Sequence, residues 1–400
     1  MLFAAFWVII KARKKLTVMR RLAQKGRRMY TFVATCLFGL EHLLGEEITA
    51  LGYKRTETID GRVTFEGDIG AAARMNIFSR YAERVFIQLS EFPARSFTEL
   101  FDGVKRLEWE SWISKTDAFP VKGHCIKSTL FSVPDCQSII KKAIVQRLES
   151  IYGISWFKET GVKYQIEFFI FHDKASIMID TSGIALHKRG YRPQQFTAPL
   201  RETLGAALAA TARPREDVLF WDPFCGSGTI AIEAAMMMTG RAPGLKRGFA
   251  GEAFPQIGKE LWQDAREEAK AAVKKSDFQV FASDIDPAAV ELARECCKHA
   301  GVEDTVKVFC RDALTIKTEG RRGTIVCNPP YGERISAEGG VDALYRNMGR
   351  HFSTLDSWQI YILTSHPGFQ NIYGRRADKV RKLYNGMLPC YFYQYFKRNK

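Results

Sequence analysis

Four hundred residues, 46% of them hydrophobic, exceed what one core usually organises and leave room for two or three domains, each able to bury a core of its own. This excludes a disordered chain and a disulfide-stapled miniprotein. The 59 Lys+Arg against 44 Asp+Glu give a formal charge of +15, which suits a polyanionic partner such as nucleic acid.

That charge is concentrated at the two ends. Residues 1–28 carry nine basic side chains and no acid, residues 29–200 net +1, residues 201–350 net −1, and the last fifty residues +6. Leu2 to Ile10 is an apolar run of nine, about half of the roughly 20 residues a membrane-spanning helix needs. Basic residues follow the run rather than precede it, and no small-residue cleavage site precedes Met29, so it does not read as a signal peptide. Residues 1–28 are expected to lie outside the fold, and no membrane partner is expected. The nine cysteines include no C-x-x-C pair and mostly sit in apolar runs, which fits a reducing cytoplasm and neither a zinc site nor any other metal site.

In chain order, Thr31 to Thr35 reads as a strand, Gly39 to Leu51 as a helix with Leu40, Leu43, Leu44 and Ile48 on one face, and Arg62 to Glu66 as a second strand. Ser132-Val-Pro-Asp135 has the form of a capping box opening a helix. Its core face is Ile139, Ile140, Ala143, Ile144 and Leu148, and its outer face shows Lys141, Lys142 and Arg147. Tyr164 to Phe171 and Ala175 to Asp180, joined at His172-Asp-Lys, read as a hairpin. This half is α+β. Residues 183–200 form a polar joint with Lys188, Arg189 and Arg192, placed where a bound polymer could pass between domains.

Beyond Arg201 the strands become continuously apolar: Val218 to Trp221, Gln279 to Ala282, Val306 to Phe309, Thr324 to Cys327 and Trp358 to Leu363. Strands without alternation are buried on both faces, so this half reads as a doubly wound parallel sheet. Asn385-Gly386 between two strand-like runs closes it with an antiparallel edge hairpin.

The chemistry collects at strand ends. Asp222-Pro-Phe-Cys-Gly226-Ser-Gly228 follows the first strand of this half and precedes a helix, the place where a nucleotide-like cofactor sits in such a sheet. The missing third glycine argues against a dinucleotide. The next strand ends in Asp284-Ile-Asp286-Pro287; Asp284 can hold both hydroxyls of a ribose, whereas Asp286 is placed to cap the following helix. Fifty-six positions separate Gly228 from Asp284 against about 20 in the usual pattern. Residues 239–276 are therefore an insertion, with a helix marked by Leu261, Trp262, Ala265, Ala269 and Ala272. Asp312 ends the third strand, where it can accept from an adenine amino group. The fourth ends in Asn328-Pro329-Pro330-Tyr331-Gly332. Its prolines remove two donors and stiffen the loop, so the Asn328 side chain and the Pro329 carbonyl can accept both hydrogens of an NH2 group while an aromatic ring stacks on its plane.

Together these residues resemble the class I S-adenosylmethionine-dependent methyltransferases that modify amino nitrogens. The joint Gly183 to Arg192, Thr197-Ala-Pro-Leu-Arg-Glu-Thr, Asp222 to Thr229, Ala242-Pro-Gly-Leu, Asn328 to Arg334 and Lys382-Leu-Tyr-Asn-Gly386 are similar to the THUMP-domain RNA guanine-N2 methyltransferases, above all the bacterial enzymes acting on large-subunit ribosomal RNA. The resemblance implies a ferredoxin-like subdomain (29–90), a THUMP RNA-binding domain (91–182), a linker (183–200) and a Rossmann-like catalytic domain (201–400). It also implies S-adenosylmethionine as cofactor and structured RNA as partner. Asp222, Gly226, Gly228, Asp284 and Asp312 would hold the cofactor, and Asn328, Pro329, Pro330 and Tyr331 the target base. Lys141, Lys142, Arg147, Lys188, Arg189 and Arg192 would meet RNA. Two further readings use the same folds: a tRNA guanine-N2 enzyme, and an RNA-binding assembly factor with an inactive methyltransferase fold. An adenine-N6 DNA enzyme or a protein-glutamine enzyme shares the Asn-Pro-Pro-Tyr grip but would want a different N-terminal module.

Overall fold

A computed structural model describes residues 28–193, 200–331 and 340–396. The expectations for residues 1–27, for Thr197 to Pro199 and for Gly332 to Arg334 fall outside them.

The N-terminal half is built on one seven-stranded sheet in the order β2-β3-β1-β4-β7-β6-β5. Its elements are β1 (Tyr30–Cys36), α1 (Glu41–Ala50), β2 (Lys54–Ile59), β3 (Arg62–Gly67), α2 (Ala71–Phe78), β4 (Ala82–Pro93), α3 (Phe97–Lys105), β5 (Val121–Ile126), α4 (Val133–Tyr152), β6 (Ile166–Phe171) and β7 (Lys174–Asp180). The long β4 pairs with β1 on one side and β7 on the other, so the ferredoxin-like and THUMP modules share a single sheet. β2, with its polar sequence KRTETI, escapes a hydrophobicity reading because it is an exposed edge strand. His172 and Asp173 take left-handed backbone angles, φ 48° and 61°, which is what a two-residue turn between β6 and β7 requires. The expected capping box at Ser132 is absent. Its side chain makes no cap bond, and the start of α4 instead relies on a proline in the first turn, Pro134, whose missing N–H needs no partner there.

The C-terminal half continues with α5 (Glu202–Thr211), β8 (Leu219–Asp222), α6 (Thr229–Met238), α7 (Lys259–Ala271), β9 (Val280–Asp284), α8 (Pro287–Ala300), β10 (Val306–Cys310), β11 (Gly323–Cys327), α9 (Gly340–Phe352), β12 (Trp358–Thr364), α10 (Phe369–Tyr373), β13 (Lys379–Asn385) and β14 (Leu388–Tyr395). The sheet order is β10-β9-β8-β11-β12-β14-β13. All pairs from β10 to β12 are parallel, and β14 and β13 close the edge antiparallel. The order reverses between β8 and β9 on one side and β11 on the other, which opens a crevice at the carboxyl ends of these strands. Asp286 caps α8, accepting from the Ala288 amide at 2.9 Å, as its position before Pro287 suggested.

The insertion between α6 and β9 ties the halves together. α7 buries Trp262, Ala265 and Ala269, and Arg74 of α2 meets Glu268 of α7 through two bonds of 2.9 and 3.0 Å. Phe254 stacks on Tyr164 at 4.4 Å, and Gly251 donates to the Thr181 carbonyl at 2.9 Å. A continuous apolar core runs from β1 through α7 to β9. Among the described residues no helix is long and apolar enough to cross a membrane.

Candidate methyl-transfer site

Parallel pairing aligns the carboxyl ends of β8, β9, β10 and β11. Asp222 lies opposite Ala282, Cys310 opposite Asp284, and Ile325 opposite Trp221. The four candidate loops therefore open on one rim although more than a hundred positions separate the first from the last.

The glycine loop is held from below. The Phe224 amide donates to Asp222 Oδ1 at 3.2 Å, the Cys225 amide to the Ser283 carbonyl at 3.0 Å, and the Gly226 amide to Asp284 Oδ2 at 3.0 Å. Gly226 and Gly228 have φ of 50° and 78°, a region that β-carbons oppose. A β-carbon on Gly226 would meet no atom within 4 Å, so the loop borders open space, whereas one on Gly228 would press on Ala293 at 3.4 Å. Asp222 is 1% exposed. Burial, followed by the nearby charge of Asp284, raises its carboxyl well above the ordinary range. A cationic ligand beside it would reverse that shift. Asp284 also accepts from the Asp286 amide at 3.1 Å; an ionised carboxylate retains further acceptor sites. Asp312 accepts from the Leu314 amide at 2.8 Å. These residues fit a ligand with a hydroxyl-bearing sugar and positive charge: a glycine, Gly226, with room above it, and acids at the ends of adjacent strands.

The target loop is more telling. Asn328 Oδ1 is buried and has no hydrogen-bond partner among the described residues. An orphan acceptor of this kind costs about 1–3 kcal/mol unless a ligand satisfies it. The loop beneath it is fixed by Tyr345 of α9, whose hydroxyl bonds the Pro330 carbonyl at 3.0 Å and Thr364 Oγ1, at the end of β12, at 2.9 Å. Tyr331 is half-buried, and burial raises its phenol above the ordinary value. Asn385, Cys390 and Asn328 neighbour that phenol.

Four contributors were not identified from the sequence. Tyr345 and Thr364 carried no sequence signal, Cys390 stood only in the edge hairpin, and Asn385 stood in that hairpin and in the Lys382 to Gly386 run of the resemblance. For Asn385 the Asn-Gly pair was the available signal, but it pointed to the turn and not to the site.

The residues expected to meet RNA separate into groups. Arg189 is 4% exposed. Its guanidinium faces Glu233 at 3.3 Å and donates to the Leu186 carbonyl at 2.8 Å. The expectation that it contacts RNA is corrected: it locks the joint onto α6. Lys141 bonds Glu159 at 2.6 Å and sits over the Phe119 ring at 3.6 Å, and Arg147 is paired with Glu110. Lys142 is exposed. Lys188 is exposed with no side-chain partner among the described residues. Arg192 donates to Thr229 Oγ1, at the first position of α6, at 2.6 Å. Among the described residues no cluster of His, Cys, Asp or Glu could hold a metal ion.

Residues 189–394 match the UPF0020 family model, described as the RMKL-like methyltransferase domain. Residues 31–86 match the RlmL ferredoxin-like domain and residues 94–180 the THUMP domain. The chain is 43% identical over 374 residues to "Putative RNA methyltransferase YpsC" of Bacillus subtilis, covering 93% of this chain and 97% of that protein. It is 35% identical over 371 residues to ribosomal RNA large subunit methyltransferase K/L of Aliivibrio fischeri, covering 90% of this chain but only 53% of that longer protein. The crystal structure of SMU.472 complexed with SAH, 39% identical, superposes with a TM-score of 0.86 over 94% of this chain and 100% of that one. The chain belongs to the UPF0020 family of RMKL-like methyltransferases, uses S-adenosylmethionine, and joins that domain to the RlmL ferredoxin-like and THUMP modules.

Proposed function

We propose that the protein transfers a methyl group from S-adenosylmethionine to the exocyclic N2 of a guanosine in structured RNA, with large-subunit ribosomal RNA as the substrate. The observation that carries this reading is the orphan Oδ1 of Asn328, a buried acceptor at the end of β11 on a loop whose two prolines and Tyr345 bond restrict its movement. An amino group is the complementary donor. The names of the YpsC and K/L relatives support RNA, and the latter ribosomal RNA.

Asp222, Gly226, Gly228, Asp284 and Asp312 are the residues that would hold the cofactor, which supplies an electrophilic methyl group on a sulfonium. Asn328 Oδ1 and the Pro329 carbonyl accept the two amino hydrogens, which draws the nitrogen lone pair out of conjugation with the ring and leaves it directed at the methyl. Pro330 stiffens the loop, and Tyr331 stacks on the base, a contact that contributes about 1–3 kcal/mol. A paired guanine hides its amino group, so the base has to leave its stack at a cost of a few kcal/mol, offset by contacts to the RNA backbone. The proton lost from nitrogen passes to water, and the chain needs no general base at that atom.

The test is incubation of the purified chain with S-adenosylmethionine and unmodified large-subunit ribosomal RNA or tRNA, followed by nucleoside mass spectrometry. N2-methylguanosine in ribosomal RNA is expected. A mark confined to tRNA would move the substrate, N6-methyladenosine would move the target base, and no transfer to either RNA would favour an assembly factor. Asn328→Ala should lower turnover by at least about 100-fold, in the range seen when one transition-state hydrogen bond is deleted, with calorimetric S-adenosylhomocysteine affinity within about twofold. Retained turnover in that variant would remove the proposed grip.

A further inference from the structure

A second cavity of about 750 Å3 lies where the joint, the insertion and the start of α5 meet, inside the roughly 300–1,000 Å3 typical of ligand pockets. Lys188, Arg192, Arg201 and Arg247 line it, with Glu202 as the carboxylate in its wall. His187 also lines it and bonds Glu83 at 2.7 Å, the same carboxylate that Arg201 meets at 2.9 Å.

The cations are not equivalent. Arg247 is a framework group: it donates to the carbonyls of Ile184, Ala185 and Lys188 and so fixes the joint's path around the cavity. Burial, followed by the charges of Arg189 and Arg84, lowers it to about 10. Arg192 has a side chain only 10% exposed. Its Nη2 anchors to Thr229 and to the Leu200 carbonyl, and it stands 3.6 Å from Glu202, yet its Nε is buried without a partner among the described residues. The Lys188 ammonium has no partner among the described residues. Two donors are therefore left over, one exposed and one buried, in a cavity with more cations than acids. An oxyanion is the complementary ligand.

The cavity also neighbours the target loop. Arg201 lies beside the β13–β14 turn, where a β-carbon on Gly386 would approach its guanidinium to 3.9 Å, and Asn385 of that turn neighbours Tyr331. One hairpin turn thus separates the cavity from the proposed base grip. We propose that this pocket clamps a backbone phosphate of the RNA adjacent to the methylated nucleotide, with Lys188 and Arg192 Nε as donors; the proposal rests on the RNA reading above. Such a contact would hold the strand while the base is extruded, the positioning role that phosphate contacts play in nucleic-acid recognition. The cofactor's own carboxylate is the other anion these donors could take.

Filter binding of the full chain to an in vitro transcript of large-subunit ribosomal RNA, from about 50 to 200 mM KCl, tests this alongside calorimetry with S-adenosylhomocysteine. Lys188→Ala and, independently, Arg192→Gln should each make the slope of log affinity against log salt shallower by about 0.7 to 1. Lys188→Ala should leave S-adenosylhomocysteine affinity within about twofold of wild type. An unchanged slope in Lys188→Ala overturns the clamp, as does weaker S-adenosylhomocysteine binding with an unchanged slope, which would reassign the pocket to the cofactor carboxylate. If the wild type binds the transcript and the variants shift the slope while the methylated base is not guanine, the clamp stands and the guanine reading falls. If the wild type binds no RNA, both fall.

Discussion

At the scale of single residues, two polar groups in the crevice carry a cost in the ligand-free protein. Asn328 keeps an acceptor buried and unbonded, and Asp222 keeps a carboxyl where burial opposes its charge. Both are local losses of stability at positions the proposed chemistry needs, a usual signature of a functional site. Asp222 also ties stability to pH. Its folded-state value is raised, so the folded state holds the proton more tightly than the unfolded state, and stability falls as pH rises above the ordinary carboxylate range of about 4. A cationic ligand favours the ionised form, so the thermal stabilisation conferred by S-adenosylmethionine should grow from pH 5 toward pH 8. In Asp222→Asn that pH dependence should flatten, with cofactor affinity lowered by about tenfold or more and ligand-free stability at pH 8 equal to or above wild type. Thermal shift across the pH series measures all three, and a wild-type stabilisation that does not change with pH would contradict the account.

At the scale of elements, the stiffness of the target loop comes from its neighbours as well as its prolines. α9 and the end of β12 hold the Pro330 carbonyl through Tyr345 and Thr364, and the β13–β14 hairpin places Asn385 against Tyr331. Tyr345 is fully buried, and its ring packs edge-on against Phe369 at 5.0 Å. Removing only its hydroxyl should therefore leave the packing intact and release the loop. Tyr345→Phe is expected to cost about 1 kcal/mol of stability and to lower kcat roughly tenfold with KM for S-adenosylmethionine little changed, a split that steady-state kinetics resolves. A purely structural role would lower the melting temperature without that kinetic split.

At the scale of the whole molecule, the insertion between α6 and β9 converts two modules into one body. Arg74 and Glu268 meet through a two-pronged contact, with side chains 15% and 26% exposed, and Arg74 also bonds the Leu51 carbonyl and the Tyr53 hydroxyl. An RNA held by the N-terminal modules can present its target to the crevice only if the distance between them is fixed. Arg74→Ala should destabilise the chain by about 3 kcal/mol, since it removes a two-pronged contact to a partly buried carboxylate and the donor to a carbonyl. It should also lower kcat/KM for RNA more than it lowers S-adenosylhomocysteine affinity. Equal losses in both would mean that the contact supports the catalytic domain alone.

The parts legible in the sequence were those set by short-range rules. β8, β9, β11 and β12 declared themselves by apolar runs, because burial on both faces leaves no polar face to alternate, whereas β10, an edge strand with Lys307 in it, is only partly buried. That the Asp222 to Gly228 loop, Asp284 and Asn328 to Tyr331 follow strand ends was legible, because strand ends, glycine freedom and proline stiffness are local properties. The Asp286 cap followed from the proline after it. Position in space was not legible. Ser132 had the right neighbours for a cap and did not make the bond, and Arg189 looked like a solvated cation but lies buried against Glu233. Lys141 and Arg147 found acids from distant segments. Tyr345, Asn385 and the cavity around Arg192 depend on which elements the sheet order brings together, and that order is set by long-range packing that no residue's nearest neighbours encode. The sequence by itself determined which residues stand at the strand ends and the methyltransferase family they belong to; only the tertiary structure decided which basic side chains remain free for an anion, because a charge is available only where folding has not already paired it.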